Sequence, residues 1–153
     1  MRASSNSFHG PYRRQQGVAA VEFALVCTIF FMLLIGMMEM GRMLFYWNSA
    51  AEATRFGARM AVVCDQADQG LVKTRVRERL PILPPDKISI DYEPAGCTIN
   101  TCQSVTVSIL AGVSIATFIP YVPLSLSLPP FSTSLPRESM QSAAGSVGNP
   151  VCS

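Results

Sequence analysis

The sequence predicts an α+β protein: a long N-terminal transmembrane and amphipathic helix, then a small region with a second short helix and an antiparallel β-hairpin or three-stranded sheet. Residues 18–38 are almost entirely apolar. The chain then continues to Val63 without proline and with polar residues at helical spacing. Two later runs alternate apolar and polar residues, which is typical of half-buried strands. These three observations define the fold class.

The composition limits the class of protein. The chain has 153 residues, enough for one small domain, and 49% of them are hydrophobic while only 14% are charged. This is too apolar for a disordered chain. The formal net charge is only +2, so no nucleic-acid partner is predicted.

The charge is unevenly placed around the apolar run. Residues 1–17 contain Arg2, Arg13 and Arg14 and no acidic residue, and the remainder has nine basic and ten acidic residues. Residues 18–38 then give 21 residues with a single charge, Glu22, which is long enough to span a bilayer. The positive-inside rule makes residues 1–17 a basic cytoplasmic leader and places the chain after the span outside. The run is longer than the apolar core of a cleaved secretory signal, and a plain signal anchor remains an alternative.

Residues 39–64 are predicted to continue the helix beyond the membrane. Arg42, Ser49, Glu52, Arg55 and Arg59 mark a polar side, and the opposite, apolar side is expected to contain Met40, Met43, Leu44, Trp47, Ala51, Ala58 and Ala61. A set of small residues would allow another helix or a sheet to approach closely: Ala50, Ala51, Ala53, Gly57, Ala58 and Ala61.

Residues 65–131 are predicted to form a small α+β region. The run 71–80 has Val72, Val76 and Leu80 on one stripe, which indicates a short second helix. The runs 87–93 and 104–110 alternate as strands, and they predict a β-hairpin. We expect a third, proline-interrupted strand within 114–131. Residues 132–153 are predicted to be a flexible tail unless Cys152 tethers it.

The cysteines fit an oxidising compartment. Cys27 lies in the span, and the other four would lie outside, where disulfides persist. Of the three pairings that four cysteines allow, we favour Cys97–Cys102 and Cys64–Cys152. The Cys-x4-Cys spacing also fits some zinc sites, but the only histidine, His9, lies in the leader. No metal site is therefore predicted, and a four-cysteine zinc site is the alternative.

No catalytic constellation is found in the sequence. A phosphate-binding glycine loop, a G-x-S-x-G motif and an H-E-x-x-H motif are all missing. Asp91 and Glu93 share a strand face, which we interpret as solvated rather than catalytic. The sequence therefore predicts neither an enzyme nor a cofactor.

Glu22 has two interpretations. It lies four residues into the span, where it can remain solvated at the cytoplasmic interface. Alternatively, a cut between Gly17 and Val18 would make Glu22 the fifth residue of the mature chain. Its carboxylate could then pair with the new ammonium of a neighbouring subunit and set the axial register.

Three motifs in order resemble the TadE-like proteins of tight-adherence (Flp pilus) loci. They are Val21-Glu22-Phe23-Ala24 before the apolar span, Glu39-Met40-Gly41-Arg42 at its end, and the helical run from Ala53 to Arg59 that contains Gly57 and Ala58. The resemblance covers about residues 13–63, and the remainder agrees only in general character.

The resemblance implies a minor pilin or pseudopilin rather than an enzyme. Its expected partners are other Tad/Flp pilins, inner-membrane platform proteins and a prepilin peptidase, which would cut after Gly17. The chain would span the bacterial inner membrane once, with its C-terminal region in the periplasm. Processed members have Glu-Tyr where this chain has Glu22-Phe23. An uncleaved, bitopic scaffold of the secretion platform is therefore the alternative.

Overall fold

A computed structural model describes residues 16–118, 125–144 and 147–152 of the chain. Most of the predicted leader, including Arg2, His9, Arg13 and Arg14, lies outside these residues. The chain divides into two compact units after Met38. The first unit contains the N-terminal part of the long helix, and the second contains the rest of that helix and every strand described.

The secondary structure confirms the predicted α+β class. The long helix α1 is Gln16–Ala61, and a short helix α2 follows at Gln69–Arg79, after a turn of 3-10 helix at Gln66–Asp68. Two further 3-10 turns are Pro85–Lys87 and Pro150–Cys152. The strands are β1 Ile88–Glu93, β2 Ser104–Ile109, β3 Ser114–Ala116, β4 Ser125–Ser127, β5 Phe131–Pro136, β6 Ala143–Ala144 and β7 Val147–Gly148.

The main sheet has three antiparallel strands in the order β1-β2-β5. β1 and β2 form the predicted hairpin, with Ile88 opposite Ile109 and Glu93 opposite Ser104. The alternating pattern of β2 correctly predicted a half-buried strand, because Val105, Val107 and Ile109 are all buried on one face. The remaining strands form two small ladders, β3 with β4 and β6 with β7.

The identity of the third strand corrects the sequence prediction. The run 114–131 was expected to supply it, but its described part forms β3 and β4, which pair with each other. The third strand is β5, which pairs with β2 from Ser104 opposite Pro136 to Ile109 opposite Phe131. Residues 132–136, predicted to begin a flexible tail, are therefore part of the main sheet.

The core of the second unit lies where α1, α2 and the main sheet meet. Val72, Val76 and Leu80 are buried along the predicted stripe of α2 and its C-cap. On α1 the buried residues are Met43, Ala50, Ala53, Thr54, Gly57, Ala58, Met60 and Ala61. Met40, Leu44 and Trp47 were expected on this side and are instead exposed. The helix thus packs through its small residues, as predicted, while its larger apolar residues near the span face outward.

The segment after β5 returns to the C-terminal end of α1. The amides of Glu138 and Met140 donate to the Val62 carbonyl, and the Gln141 amide donates to the Val63 carbonyl. The Met140 side chain is fully buried. Backbone pairing and apolar burial therefore order residues 137–141, and the predicted loose tail is corrected over this range too.

Candidate membrane anchor and assembly surface

The apolar part of α1 is exposed on every side. From Gly17 to Met38 the side chains are exposed, apart from the half-buried positions Cys27 and Gly36. Phe23, at 70% exposure, is representative. Apolar side chains around a whole helix require a lipid or protein environment to cover them. Among the described residues, α1 is the one helix long and apolar enough to cross a membrane.

The predicted processing and register residues lie at the start of this helix. Gly17 and Val18 belong to the first turn of α1, and Glu22 follows one turn later. Residues at i and i+4 share a helix face, so Val18 and Glu22 lie on the same side. Glu22 and Phe23 are both exposed. Cleavage after Gly17 and a register role for Glu22 stay predictions.

Glu39 and Arg42, from the second motif, form an ion pair directly after the predicted span. Arg42 donates from Nη2 and Nε to Glu39 Oε2, at 2.8 and 3.2 Å. The i,i+3 spacing on α1 places the two side chains together. The Glu39 side chain is only 12% exposed. The pair is thus a partly sheltered element of the second unit.

The same pair binds the backbone at the last residue of β3 and just after that strand. Arg42 Nη2 donates to the Ala116 carbonyl at 2.6 Å, and the Phe118 amide donates to Glu39 Oε1 at 2.7 Å. Both carboxylate oxygens of Glu39 therefore accept a hydrogen bond. We call this arrangement of Glu39, Arg42, Ala116 and Phe118 the helix clamp. The hydrogen bond from Arg42, then that from the Phe118 amide, lower the pKa of the Glu39 carboxyl.

The sequence analysis named Glu39 and Arg42 as motif residues, but it predicted neither their ion pair nor the backbone partners of that pair. A carbonyl and an amide have no signature in the sequence, because every residue except proline has both. The available signal was the i,i+3 spacing of opposite charges in an otherwise apolar stretch of helix. Such charges need a partner, but the sequence does not tell which distant segment supplies it.

Gly57 explains part of the third motif. A Cβ atom added at Gly57 would lie 2.6 Å from Val76 Cγ2 and 3.2 Å from Val107 Cγ1. The glycine therefore allows α1, α2 and β2 to approach closely. Ala58 is also fully buried, whereas Arg59 is exposed. Gly41 has open space around it, and nothing in the structure explains its identity.

Two cysteine pairs lie at disulfide-bonding distance in the second unit. Cys64 is joined to Cys152, and Cys97 is joined to Cys102 at the tip of the β1-β2 hairpin. Gln66 packs against the second pair, since its Nε2 donates to the Cys97 carbonyl at 3.3 Å. Cys27, in the first unit, is a free thiol.

The fold and the site define a class of protein: one apolar helix that could span a membrane, continuing into an α+β unit with two disulfides. The family model described as TadE-like protein matches residues 17–59. The match begins at Gly17 and ends at Arg59, so it contains all three motifs and confirms the resemblance over this segment. Comparison with curated proteins and with solved structures gave no match. The family suggests a non-enzymatic protein associated with the Tad pilus.

Proposed function

We propose that this chain is a TadE-like minor pilin or pseudopilin, a membrane-anchored structural component for assembly of a Tad/Flp type IV pilus. The observation that supports this most directly is the coincidence of the family match, residues 17–59, with an exposed apolar helix that contains Glu22 near its start. Pilus assembly would then serve adhesion and biofilm formation.

In this proposal α1 has two roles. Its apolar half is the inner-membrane anchor, with the leader in the cytoplasm and the second unit in the periplasm. The same surface packs against other Tad/Flp pilins or inner-membrane platform proteins once the chain enters an assembly. Glu22 is the only charged residue between residues 15 and 38, so it is the natural group for a partner's ammonium to recognise.

A second candidate is an uncleaved bitopic scaffold of the Tad secretion platform. Phe23, in place of the tyrosine of processed members, favours it. A scaffold would use the same anchor but would never leave the membrane.

The N-terminus of the protein from its native membranes distinguishes the two candidates. We would measure the intact mass, sequence the N-terminus, and probe sheared pilus fractions and inner membranes for the chain. A chain that begins at Val18 and is present in sheared pili supports the pseudopilin. A chain that begins at Met1 and stays in the membrane supports the scaffold and contradicts prepilin processing.

Glu22→Ala tests the proposed register role. We expect normal membrane insertion, because the span becomes more apolar without the carboxylate. We expect reduced pilus output, because the charge that would pair with a neighbouring subunit's ammonium is lost. Glu52→Ala is the matched control, since Glu52 is an exposed carboxylate on the same helix, 3.8 Å from Arg55. Piliation by the Glu22 variant at the level of the control would refute the register role.

A further inference from the structure

Phe118 is the most exposed large apolar side chain in the described residues, at 87%. Its backbone is nevertheless fixed, because its amide donates to Glu39 Oε1 at 2.7 Å. Two residues earlier, the Ala116 carbonyl accepts from Arg42 at 2.6 Å. The helix clamp therefore presents an uncovered aromatic ring from an ordered segment.

The clamp also defines where along the helix this ring lies. Glu39 directly follows the predicted span, residues 18–38, and the Phe118 amide is hydrogen-bonded to it. Met40, Leu44 and Phe45, in the next turns of α1, are exposed as well, at 62%, 50% and 66%. Apolar and aromatic side chains thus continue past the end of the span at the level of Phe118.

The charges at this level are compensated. Glu39 and Arg42 pair with each other, and each also binds a backbone group of the clamped segment. Paired and hydrogen-bonded charges cost less to bring into the bilayer interface than free ones. Phenylalanine, like tryptophan and leucine, is found on helix faces that are buried at the boundary between headgroups and acyl chains. The ion pair is therefore compatible with contact between Phe118 and lipid.

We propose that Phe118 is a membrane-contact residue, held by the helix clamp so that its ring inserts into the leaflet at the Glu39 end of the span. The occupant of this surface is phospholipid, because Glu39, which binds the Phe118 amide, directly follows the predicted membrane span in the sequence. The proposal depends on the anchor but not on any role in a pilus.

The test places a single indole at position 118. Trp47 is the only tryptophan in the chain, so Phe118→Trp is made in a Trp47→Phe background. The full chain is reconstituted in phosphatidylcholine vesicles with bromine on the acyl chains near the headgroup. The control is Val147→Trp in the same background. Val147 is 71% exposed in β7, which pairs with β6. Ser142, the residue before β6, accepts a hydrogen bond from the Asp65 amide, which lies beyond the C-terminal end of α1.

We expect the indole at position 118 to emit at shorter wavelength than that at 147. The brominated lipid should quench it, and aqueous acrylamide should quench it less than the control. Equal emission and equal acrylamide quenching at both positions would overturn the proposal. Protection from acrylamide without quenching by the lipid would also overturn it, since protein rather than phospholipid would then cover the ring.

Adding Glu39→Ala to the position-118 reporter tests the clamp. Lipid quenching should fall, because the segment loses the carboxylate that holds its amide. Unchanged quenching would contradict the role of the clamp in placing the ring.

Discussion

At the scale of single residues, Gly57 has the clearest structural role in the matched segment. Val76 and Val107 approach it from α2 and β2, and both are fully buried. β-Branched side chains are stiff about χ1, so neither valine can turn aside freely. One missing Cβ therefore determines how closely the long helix approaches the rest of the core.

Gly57→Ala should destabilise the second unit relative to Gly41→Ala by about 1–3 kcal/mol, the usual cost of overpacking a core. Both substitutions raise the helix propensity equally, so the difference in stability between the two variants measures the steric clash of the new methyl group with Val76 and Val107. Gly41 is the matched control because an added Cβ there meets nothing within 4 Å. Urea midpoints from pulse proteolysis of the full chain in detergent micelles would measure the difference. Equal midpoints would show that the core absorbs the methyl group.

Residue-scale prediction from the sequence succeeded where the physical cause was local. The small residues of α1 predicted close packing, and Gly57, Ala53 and Ala58 are buried as expected. The larger apolar residues were less predictable, because Met40 and Leu44 were expected on the same side as Ala58 and are exposed. An apolar side chain near the end of a membrane span is no guide to which face meets the protein core, since lipid accepts it equally well.

At the scale of elements, the helix clamp joins α1 to the end of β3 and to Phe118, which follows it. Removal of Glu39 should release the Phe118 amide while leaving the helix intact. Glu39→Ala should therefore raise the rate of amide hydrogen exchange in the peptide that contains Phe118. Glu52→Ala should not, because Glu52 makes only an exposed contact with Arg55. Exchange at the control rate in the Glu39 variant would refute the clamp.

The clamp should also depend on pH. The pKa of Glu39 is lowered below its ordinary value of 4.5, so the carboxylate stabilises the folded arrangement above that pH. The contribution is lost as the pH falls through the lowered pKa, when the carboxyl is protonated and its bond from Arg42 weakens. Exchange at Phe118, corrected for the intrinsic pH dependence of amide exchange, should accelerate only in this acidic range. The acceleration should be missing in Glu39→Ala.

The strands show how far periodicity predicts elements. The hairpin β1-β2 was predictable because Ile88, Ile90, Val105 and Val107 alternate with polar residues. β5 has Phe131, Thr133 and Leu135 at alternate positions, but all three are only half-buried, and Pro136 ends the strand. Its place in the sheet depends on tertiary contacts, including the pair Thr54 Oγ1 and Thr133 Oγ1 at 3.1 Å. A short strand specified by distant partners has little signal of its own.

At the scale of the whole molecule, the C-terminal segment packs against the C-terminal end of α1 within the second unit. Its order depends on residues far apart in the chain: the Val62 and Val63 carbonyls, the buried Met140 and the Cys64–Cys152 disulfide. The serine- and glycine-rich composition of residues 132–153 predicted a flexible tail, because composition reflects only the local conformational preference of the backbone and not contacts with distant residues. The cysteine count instead suggested that Cys152 tethers the tail, and Cys64 and Cys152 do lie at disulfide-bonding distance.

The two disulfides should differ in their contribution to stability. Cys64 and Cys152 are 88 residues apart, whereas Cys97 and Cys102 are 5 apart. Loop-closure entropy then assigns about 4.6 kcal/mol to the long-range bridge and about 2 kcal/mol to the hairpin bridge. Replacing Cys64 and Cys152 by alanine should therefore lower the urea midpoint more than replacing Cys97 and Cys102. The variants are matched, because each removes two sulfur atoms, at least one of them from a buried site. An equal decrease in the two urea midpoints would show that backbone hydrogen bonds and Met140 hold the C-terminal segment, and that the Cys64–Cys152 bridge adds no extra stability.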